Sequence, residues 1–427
     1  MGTDERRDLA VWGLLAAAGA VICAAAVALD ATLGTASPPF LGRYAVTTAP
    51  ALLLAAGVAA GTLWLSARGW IDRLPWPRLL AVGYAAGLAW TLSLALTDGL
   101  AGIARPLHDP NGAAADVPDV GGDPYGWLRH FTEDRAAHSW HTRGHPPGTV
   151  LLLWSLQRLG VTDEVTLGLL LVVGGALVVP LVLWTVRDVS GEVAARRYLP
   201  VVALAPYALW AVRPDALTAV LGAAMIAAGV WASRRRGVRA AVAGLVCGVL
   251  LGVAALFAYA AAWLGLSVIC LYFARRRPLL NVATGAGALL PVLAADQLGF
   301  SWVAGLLTAQ HDYATRVEPY RSGAWWLALS LVALLLVAGP PLVASLRKSR
   351  NTPGWPFLVG AGAAVVFSLA AGLARGGIEH AWLAFFPWLT VAAVAPRRPA
   401  GPAVPAPLWL AGAGALTAVA LAAVLEF

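Results

Sequence analysis

Residues 97–148 read TDGLAGIARPLHDPNGAAADVPDVGGDPYGWLRHFTEDRAAHSWHTRGHPPG, the one long polar interval in a chain of apolar runs separated by short basic turns. Five of the seven histidines of the chain lie in this interval. Several aspartates lie there too, beginning with Asp98 directly after an apolar run. Such side chains transfer protons, bind metals and contact phosphates, whereas Ala, Leu and Val do none of these. We therefore expect any chemistry of this protein to be concentrated here.

The composition indicates a membrane protein with several helices. Hydrophobic residues make up 59% of the chain and charged residues 12%, about half the charged fraction of ordinary soluble domains. Apolar runs recur with roughly the 20 residues that cross a bilayer as a helix. The nucleotide-binding patterns GxGxxG and GxxxxGKS/T do not occur. The predicted fold class is all-α, a polytopic transmembrane helical bundle.

The basic residues predict the orientation of the bundle. The net charge is +8, but Lys and Arg are grouped in short clusters between apolar runs. These clusters are residues 234–236, 275–277, 347–350 and 397–398. Such clusters are typical of the cytoplasmic ends of transmembrane helices. They account for the positive net charge, so we do not expect nucleic-acid binding. Arg6 and Arg7 precede an apolar run at 9–29, for which a signal peptide and an uncleaved anchor are the alternatives. Because the run is longer than a signal-peptide core, we predict an uncleaved anchor, and hence a multi-pass plasma-membrane protein with a cytoplasmic N terminus. The polar interval then lies on the outer face.

The apolar runs predict about thirteen crossings. They are residues 9–29, 46–66, 79–97, 165–186, 198–212, 216–233, 240–256, 258–274, 279–295, 325–344, 355–374, 381–395 and 405–425. Residues 146–160 are apolar as well. If they crossed the membrane, they would make three crossings with 165–186 and 198–212 between the polar interval and residues 213–215. An odd number of crossings cannot connect two segments that both lie outside. Arg158 would also be unfavourable at the bilayer centre. We therefore predict that 146–160 forms a short helix at the outer leaflet.

Asp98 and the end of the polar interval are the strongest local motifs. A carboxylate at the mouth of a bundle can act as a general base, although a solvated helix cap is the alternative. His145-Pro146-Pro147-Gly148 predicts a rigid helix entrance that positions His145 and Arg143, since proline suits the first turn of a helix. A helix N terminus also favours phosphate, and a simple proline cap is the alternative there.

The spacing of His138, His141 and His145 makes these residues candidate metal ligands. Zinc is held by three or four nitrogen, sulfur or oxygen ligands. Gly144 and the two prolines would interrupt a continuous helix, so a single helical face is not assured. Interface histidines or acid–base and substrate contacts are the alternatives.

Three further polar segments, 213–215, 296–323 and 375–380, are predicted to lie on the same outer face. Charged groups at the membrane edge are candidate functional residues, and local salt bridges or a loop over a site are the alternatives. The candidates are Arg213, Asp215, Arg316, Arg321, Arg375, Glu379 and His380.

Together these motifs resemble the GT-C superfamily of membrane glycosyltransferases, which use polyprenyl-phosphate sugars. The resemblance rests on Asp98, His145-Pro146-Pro147-Gly148, Arg213-Pro214-Asp215 and the sequence EHAWLAFFPW at 379–388. In similar actinobacterial sequences Arg usually stands at the position of His380. The chain is distantly similar to protein O-mannosyltransferases, but the adjacent Asp-Glu pair of their first loop is missing. The WWDYG-like motif of oligosaccharyltransferases is missing as well.

The resemblance implies an inverting glycosyltransferase that moves a hexosyl or pentosyl group from a polyprenyl-phosphate donor to an acceptor hydroxyl on the outer face. Asp98 is then the general base, and the acceptor is a cell-envelope glycan, lipid or protein. A lipid phosphate is a good leaving group, so catalysis needs one base and cations for the phosphate. The implied substrate-binding residues are Arg143, His145, Arg213, Asp215, Arg316, Arg321, Arg375, Glu379 and His380. The resemblance leaves a divalent metal open and implies no other cofactor.

The same resemblance divides the chain into three parts. Residues 1–78 form two N-terminal transmembrane helices, 79–395 form the GT-C-like catalytic core with its outer loop at 98–145, and 396–427 form a C-terminal transmembrane helix. A secondary transporter or lipid flippase is the alternative function. Transporters bind their substrates near the midplane, between internal repeats, whereas here the charges gather on one face. A catalytically inactive scaffold is a third interpretation.

Overall fold

The computed structural model describes residues 1–396 and 405–426, so the basic pair at 397–398 lies outside the described residues. In the described part the fold is helical, with one small antiparallel sheet of β1 (Arg43–Tyr44) and β2 (Leu425–Glu426). The helices are α1 (Thr3–Ala28), α2 (Pro50–Ala67), α3 (Trp70–Arg73), α4 (Trp76–Ala95), α5 (Ala101–His108), α6 (Val117–Val120), α7 (Pro124–His130), α8 (Trp140–Gly144), α9 (Gly148–Arg158), α10 (Glu164–Gly175), α11 (Val178–Ser190), α12 (Glu192–Ala203), α13 (Asp215–Arg234), α14 (Gly237–Ala255), α15 (Leu264–Ala274), α16 (Leu280–Gln297), α17 (Trp302–Arg316), α18 (Gly323–Ala338), α19 (Pro341–Lys348), α20 (Trp355–Ala370), α21 (Ile378–Ala381), α22 (Phe386–Leu389) and α23 (Leu408–Val424). Short 3₁₀ helices lie between them at Leu96–Asp98, Ala113–Asp116, Arg135–Ala137, Pro206–Trp210, Tyr259–Trp263, Glu318–Tyr320, Ser349–Asn351 and Val391–Val394.

Within the described ranges, six helices are long and apolar enough to cross a membrane, or up to eight if each of two bent pairs is one crossing. The six are Thr3–Ala28, Pro50–Ala67, Trp76–Asp98, Glu164–Ser190, Asp215–Arg234 and Gly237–Ala255. One bent pair, α16 with Trp302–Tyr320, turns by 79°, and the other, α18 with Pro341–Asn351, turns by 101°. The expected count of about thirteen crossings is therefore not confirmed.

Two apolar runs that we expected to cross, 198–212 and 381–395, are not continuous helices. The first is α-helical only to the end of α12, and a separate 3₁₀ helix begins at Pro206. The second is divided among α21, α22 and a 3₁₀ helix. The side chains of Phe386 and Trp388 are fully buried. The apolar composition of this run therefore reflects burial inside the protein, which a hydropathy pattern does not distinguish from contact with lipid.

The broken run is held by side chains that bond to its backbone. The Tyr198 hydroxyl on α12 donates to the carbonyl oxygen of Pro387 at 2.5 Å and lies 2.6 Å from Oγ1 of Thr390. Lys348 Nζ donates to the carbonyl oxygen of Ala393 at 2.9 Å. Non-helical backbone inside a membrane protein needs such partners, because lipid offers none.

Close packing of α14 against α16 depends on glycine. A Cβ atom on Gly248 would collide with the carbonyl oxygen of Thr284, and one on Gly287 would collide with the carbonyl oxygen of Leu245. Small residues allow two helix backbones to approach this closely, which is how many helices associate in membranes. The backbones of these two helices therefore pack directly against each other at Gly248 and Gly287.

Residues 98–147, 205–215, 298–323 and 371–381 meet at one end of the bundle, which we call the loop face. Arg135 in the long loop donates to the carbonyl oxygen of Gly305 on α17 at 3.0 Å. Helix α13 has 20 residues, about 30 Å, and it carries the chain from the loop face to the opposite end. There Arg234 and Arg275 both pair with Asp188, at 2.7 and 3.0 Å. The first two basic clusters thus lie opposite the polar interval.

Helix α9, in the segment predicted to lie at the outer leaflet, is short and packs against the long loop. It has 11 residues, about 17 Å of rise, whereas a bilayer core is about 30 Å thick. Its first amide, on Gly148, donates to the carbonyl oxygen of Leu256 at 2.9 Å. At its other end Trp154 and Arg158 both donate to the carbonyl oxygen of Gly121, at 3.0 and 3.1 Å.

Candidate active site

A cavity of about 360 Å³ opens at the loop face. It lies between the end of α4, helix α5, the 3₁₀ helix Pro206–Trp210 and the end of α23. Its charged and titratable lining residues are Asp98, Arg105, His108, Asp109 and Arg213. The rest of its lining includes apolar side chains, namely Leu94, Leu209, Val212, Ala422 and Leu425. The cavity thus places two guanidinium groups and two carboxylates beside an apolar wall.

Asp98 reaches the cavity because the 3₁₀ turn Leu96–Asp98 extends α4 by one turn at its end. Gly99 follows with a φ of +64°, a left-handed conformation that glycine adopts without a Cβ penalty. The chain then reverses into α5, which brings Arg105 Nη1 to 2.8 Å from Asp98 Oδ2. Both side chains remain about one third exposed, at 33% and 29%. The carboxylate is accessible from the cavity and lies beside a cation.

Arg213 also lines the cavity and lies two residues before α13 begins. Its Nη1 lies 3.9 Å from Oδ2 of Asp109, and the other carboxylate oxygen of Asp109 accepts the Asn111 amide at 2.9 Å. Arg213 therefore keeps hydrogen-bond donors for an anionic ligand, because one distant carboxylate oxygen cannot use all five of its N–H groups.

A second group of titratable side chains lies next to Arg213. His141, His145 and Asp215 offer donor atoms within 4.8 Å of one another, and His145 Nε2 lies 4.0 Å from Asp215 Oδ1. The two imidazole rings are stacked, with centroids 4.0 Å apart and planes 2° from parallel. We call these three residues the histidine–aspartate cluster. It joins the end of the long loop to the start of α13.

The loop end is held in place by Asp116. Its carboxylate accepts the Ser139 amide at 2.8 Å and the Ser139 hydroxyl at 2.6 Å. Ser139 in turn caps α8 by accepting the Thr142 amide. His145 Nδ1 lies 2.8 Å from the carbonyl oxygen of His141. Helix α8 and both histidines are thus fixed to the rest of the loop.

Glu379 and His380 border the same region. They follow Gly376 and Gly377, whose φ values of 99° and 75° form the turn before α21. Burial raises the pKa of Glu379 to about 7, against the opposing charges of Arg213 and Arg321. Burial also lowers the pKa of His380 well below its usual value, helped by the positive charges of Arg213, His141 and His145. The same two effects, burial and then the charges of His145 and Arg213, lower the pKa of His141.

Arg321 and Arg375 form a separate clamp between the two later segments of the loop face. Arg321 Nη1 donates to the carbonyl oxygen of Arg375 at 2.6 Å, and Arg375 Nη1 donates to the carbonyl oxygens of Glu318 and Arg321, both at 3.0 Å. The Arg375 amide donates to the Tyr313 hydroxyl at 3.0 Å. Arg316 pairs with Asp312 on its own helix at 2.9 Å. The loop 298–323 is thereby tied to 371–381.

Arg143 and His138 hold the long loop together from within. The Arg143 guanidinium donates to the carbonyl oxygens of His138 and Ala136, at 2.8 and 2.5 Å. His138 is buried, stacks on Phe131 with centroids 4.8 Å apart, and its Nε2 lies 3.1 Å from the Phe131 carbonyl oxygen. The group with metal-binding geometry therefore contains His141 and His145 without His138, and its third member is Asp215.

The structure thus brings six of the predicted residues into one region, the cavity and its histidine–aspartate border. They are Asp98, His145, Arg213, Asp215, Glu379 and His380. Sequence reasoning missed Arg105, His108 and Asp109, which line the cavity with Asp98. A signal was available, since Arg105 and His108 are three residues apart, which is the spacing of one helical face, and they follow Asp98 closely after a glycine.

Comparison with known proteins gives a partial likeness to a solved structure. No family model matches the chain, and no curated protein matches it. Among solved structures, the fold is similar to the oligosaccharyltransferase of Archaeoglobus fulgidus, described as a complex with Zn and sulfate, with a TM-score of 0.41 and 16% sequence identity. The match covers 64% of this chain and 44% of that one. The chain therefore spans less than half of that protein, and the likeness concerns the arrangement of helices over part of both chains.

Proposed function

We propose that this protein is an integral membrane glycosyltransferase that transfers a sugar from a polyprenyl-phosphate donor to an acceptor hydroxyl on the outer face. The observation that carries the proposal is the cavity at the loop face, which combines the Asp98 carboxylate, two guanidinium groups and an apolar wall. A lipid-linked sugar phosphate has the matching parts: an apolar chain, an anionic phosphate and a polar sugar. The cavity and the donor thus agree in chemistry.

In the proposed reaction Asp98 accepts the proton of the acceptor hydroxyl while its oxygen attacks the anomeric carbon. The bond from that carbon to the phosphate oxygen breaks, its electron pair stays with the lipid phosphate, and the anomeric centre inverts. Arg213 and Arg105 stabilise the phosphate, because guanidinium binds phosphate oxygens in pairs. Binding of the phosphate by Arg105 would loosen its pair with Asp98 and free the carboxylate to act as a base.

The apolar part of the lining supports a lipid donor. Leu94 on α4, Val212 before α13 and Ala422 on α23 line the cavity beside the charged groups. These helices belong to the bundle, so an isoprenoid chain could pass between them while its phosphate meets the guanidinium groups. A second, smaller cavity deeper between the helices has a volume of about 40 Å³ and a mostly apolar lining that includes Val179, Val202 and Leu383. The charged groups line the cavity at the loop face and not the smaller one. This difference favours chemistry at one face over transport through the bundle.

The proposal is tested with purified protein in lipid nanodiscs. The protein would be incubated with polyprenyl-phosphate donors carrying radiolabelled hexose or pentose, together with candidate envelope acceptors, and the label in acceptor and in lipid phosphate would be measured. We expect transfer with one donor class and release of the corresponding lipid phosphate. If reconstituted protein moves the intact donor between leaflets and leaves the sugar–phosphate bond unbroken, it is a flippase.

A further inference from the structure

We infer that His141, His145 and Asp215 form a binding site for a divalent metal ion of the zinc type. Two imidazoles and a carboxylate, with donor atoms within 4.8 Å of one another, are a ligand set that zinc prefers. A tetrahedral site with bonds of about 2.0–2.1 Å needs donor atoms about 3.3 Å apart. The three side chains therefore need to move inward by about an ångström to bind the ion.

The tautomer of His145 suits this role. Its Nδ1 lies 2.8 Å from the carbonyl oxygen of His141, and a carbonyl oxygen only accepts, so Nδ1 carries the hydrogen. The other nitrogen, Nε2, is then the one available to a metal ion, and it lies 4.0 Å from Asp215 Oδ1. Metal-binding histidines are commonly oriented in this way, with the second ring nitrogen donating to a backbone carbonyl.

His141 supplies an independent observation. Its Nε2 is buried and has no hydrogen-bond partner among the described residues, and a buried polar atom without a partner calls for an explanation. Its ring is stacked on that of His145, 4.0 Å between centroids, so the two rings lie side by side at the end of the long loop. A cation bound by one nitrogen of each ring would give the orphaned atom a partner.

The surroundings of the cluster both support the ion and limit its ligands. Asp116 fixes the loop end that carries the histidines, and Pro214 precedes Asp215 at the start of α13. Arg213 is a nearby cation that opposes a metal ion, but Asp109 lies 3.9 Å from it and offsets part of its charge. Three protein ligands leave one tetrahedral position open. That this position binds an anionic oxygen of the donor rests on the proposed function, whereas metal binding itself does not.

Metal binding is tested without donor or acceptor. Full-length protein in nanodiscs would be stripped with a chelator, loaded with ZnCl₂, desalted and analysed for bound zinc by mass spectrometry, with affinity measured by competition against a zinc indicator. We expect about one zinc ion per chain. His145→Ala and Asp215→Asn each remove a ligand, and we expect affinity to fall by more than ~100-fold, because even loss of an outer-shell partner costs 10–100-fold. His311→Ala, at an exposed position, serves as the control and should bind like the wild type.

The outcome is decided by two comparisons. Folding of each variant is monitored by its thermal unfolding, and zinc should raise the midpoint of the wild type and of His311→Ala but not that of Asp215→Asn. Retention of the wild-type zinc affinity by folded His145→Ala and Asp215→Asn would overturn the inference, as would a folded wild type that retains no zinc. Either result leaves the sugar-transfer assay unaffected, so the two proposals fail separately.

Discussion

Arg213 lies between the cavity and the histidine–aspartate cluster, so it is the residue with the widest influence at the site. It lines the cavity and pairs at 3.9 Å with Asp109. Burial lowers the pKa values of His141 and His380, and the charge of Arg213 lowers them further. We expect Arg213→Ala to reduce transfer by roughly 10–100-fold, mostly through a higher KM for the donor, since a charge-assisted phosphate contact contributes about 1.5–3 kcal/mol. Arg213→Lys should recover part of this loss, because lysine keeps the charge without the paired donors. Steady-state kinetics on both variants measure the difference, and an unchanged KM in Arg213→Ala would remove this residue from donor binding.

Glu379 gives the site a pH-dependent stability. Its pKa is raised from 4.5 to about 7 by burial, and the groups that face it are His380, Arg213 and Arg321. A carboxyl group with a raised folded-state pKa stabilises the fold fully below pH 4.5, and this contribution is lost as the pH rises through about 7. The full change is of the order of 3 kcal/mol.

The variant Glu379→Gln isolates this effect from that of the neighbouring histidines. Glutamine resembles the protonated acid, so we expect Glu379→Gln to match the wild type at pH 5 and to unfold at a higher temperature than the wild type at pH 8. Thermal unfolding of both proteins across this range is the measurement. A constant difference between them at all pH values would show that folding does not raise the pKa of Glu379.

Sequence reasoning located many of the site residues but not their partners. Asp98, Arg213 and Asp215 were identifiable because each is a charged residue at the end of an apolar run. That His141 meets Asp215 depends on how the long loop folds back on α13, and local spacing carries no information on that contact. For the same reason the spacing suggested His138 as a metal ligand, although its ring packs on Phe131.

At the scale of helices, the contact between α14 and α16 is the most sensitive to small changes in volume. A Cβ on Gly248 would collide with the Thr284 carbonyl oxygen and crowd the Ala288 amide, whereas one on Gly285 meets nothing within 4 Å. We expect Gly248→Ala to destabilise the protein by at least ~1–3 kcal/mol. Gly285→Ala, on the neighbouring helix, should be neutral or stabilising by up to ~1 kcal/mol. The midpoints of thermal unfolding in detergent compare the two, and equal effects would contradict the close approach.

The apolar pattern of the sequence predicts the long helices correctly. It fails for apolar runs that the structure divides into short helices. The prediction of a helix over 216–233 agrees with α13, Asp215–Arg234. The runs 198–212 and 381–395 contain prolines and are largely buried in protein, so their hydropathy resembles that of a span without the continuous helix. Residues 296–323, expected as an outer polar segment, contain the helix α17, whose apolar residues are interspersed with polar ones.

For the whole molecule, the structure places the polar interval and the first two basic clusters, 234–236 and 275–277, at opposite ends of α13. We predict that the loop face lies outside and the basic clusters lie in the cytoplasm. In a background without Cys23, Cys247 and Cys270, an impermeant thiol reagent added to intact cells should label Asp119→Cys and Tyr320→Cys but not Arg235→Cys. Permeabilised cells provide the control, in which all three should react. Labelling of Arg235→Cys from outside would reverse the orientation.

The central claim, that Asp98 is the base of a sugar transfer at the loop face, is tested most directly by Asp98→Asn in the nanodisc transfer assay. Asparagine keeps the size of aspartate but cannot accept the proton, so we expect transfer to fall by about 10²–10⁴-fold. Donor binding should be largely retained. Asp119→Asn, the same change at an exposed aspartate of the same loop, should keep wild-type turnover, and thermal unfolding should show that both variants are folded. Near-wild-type turnover by folded Asp98→Asn would contradict the account.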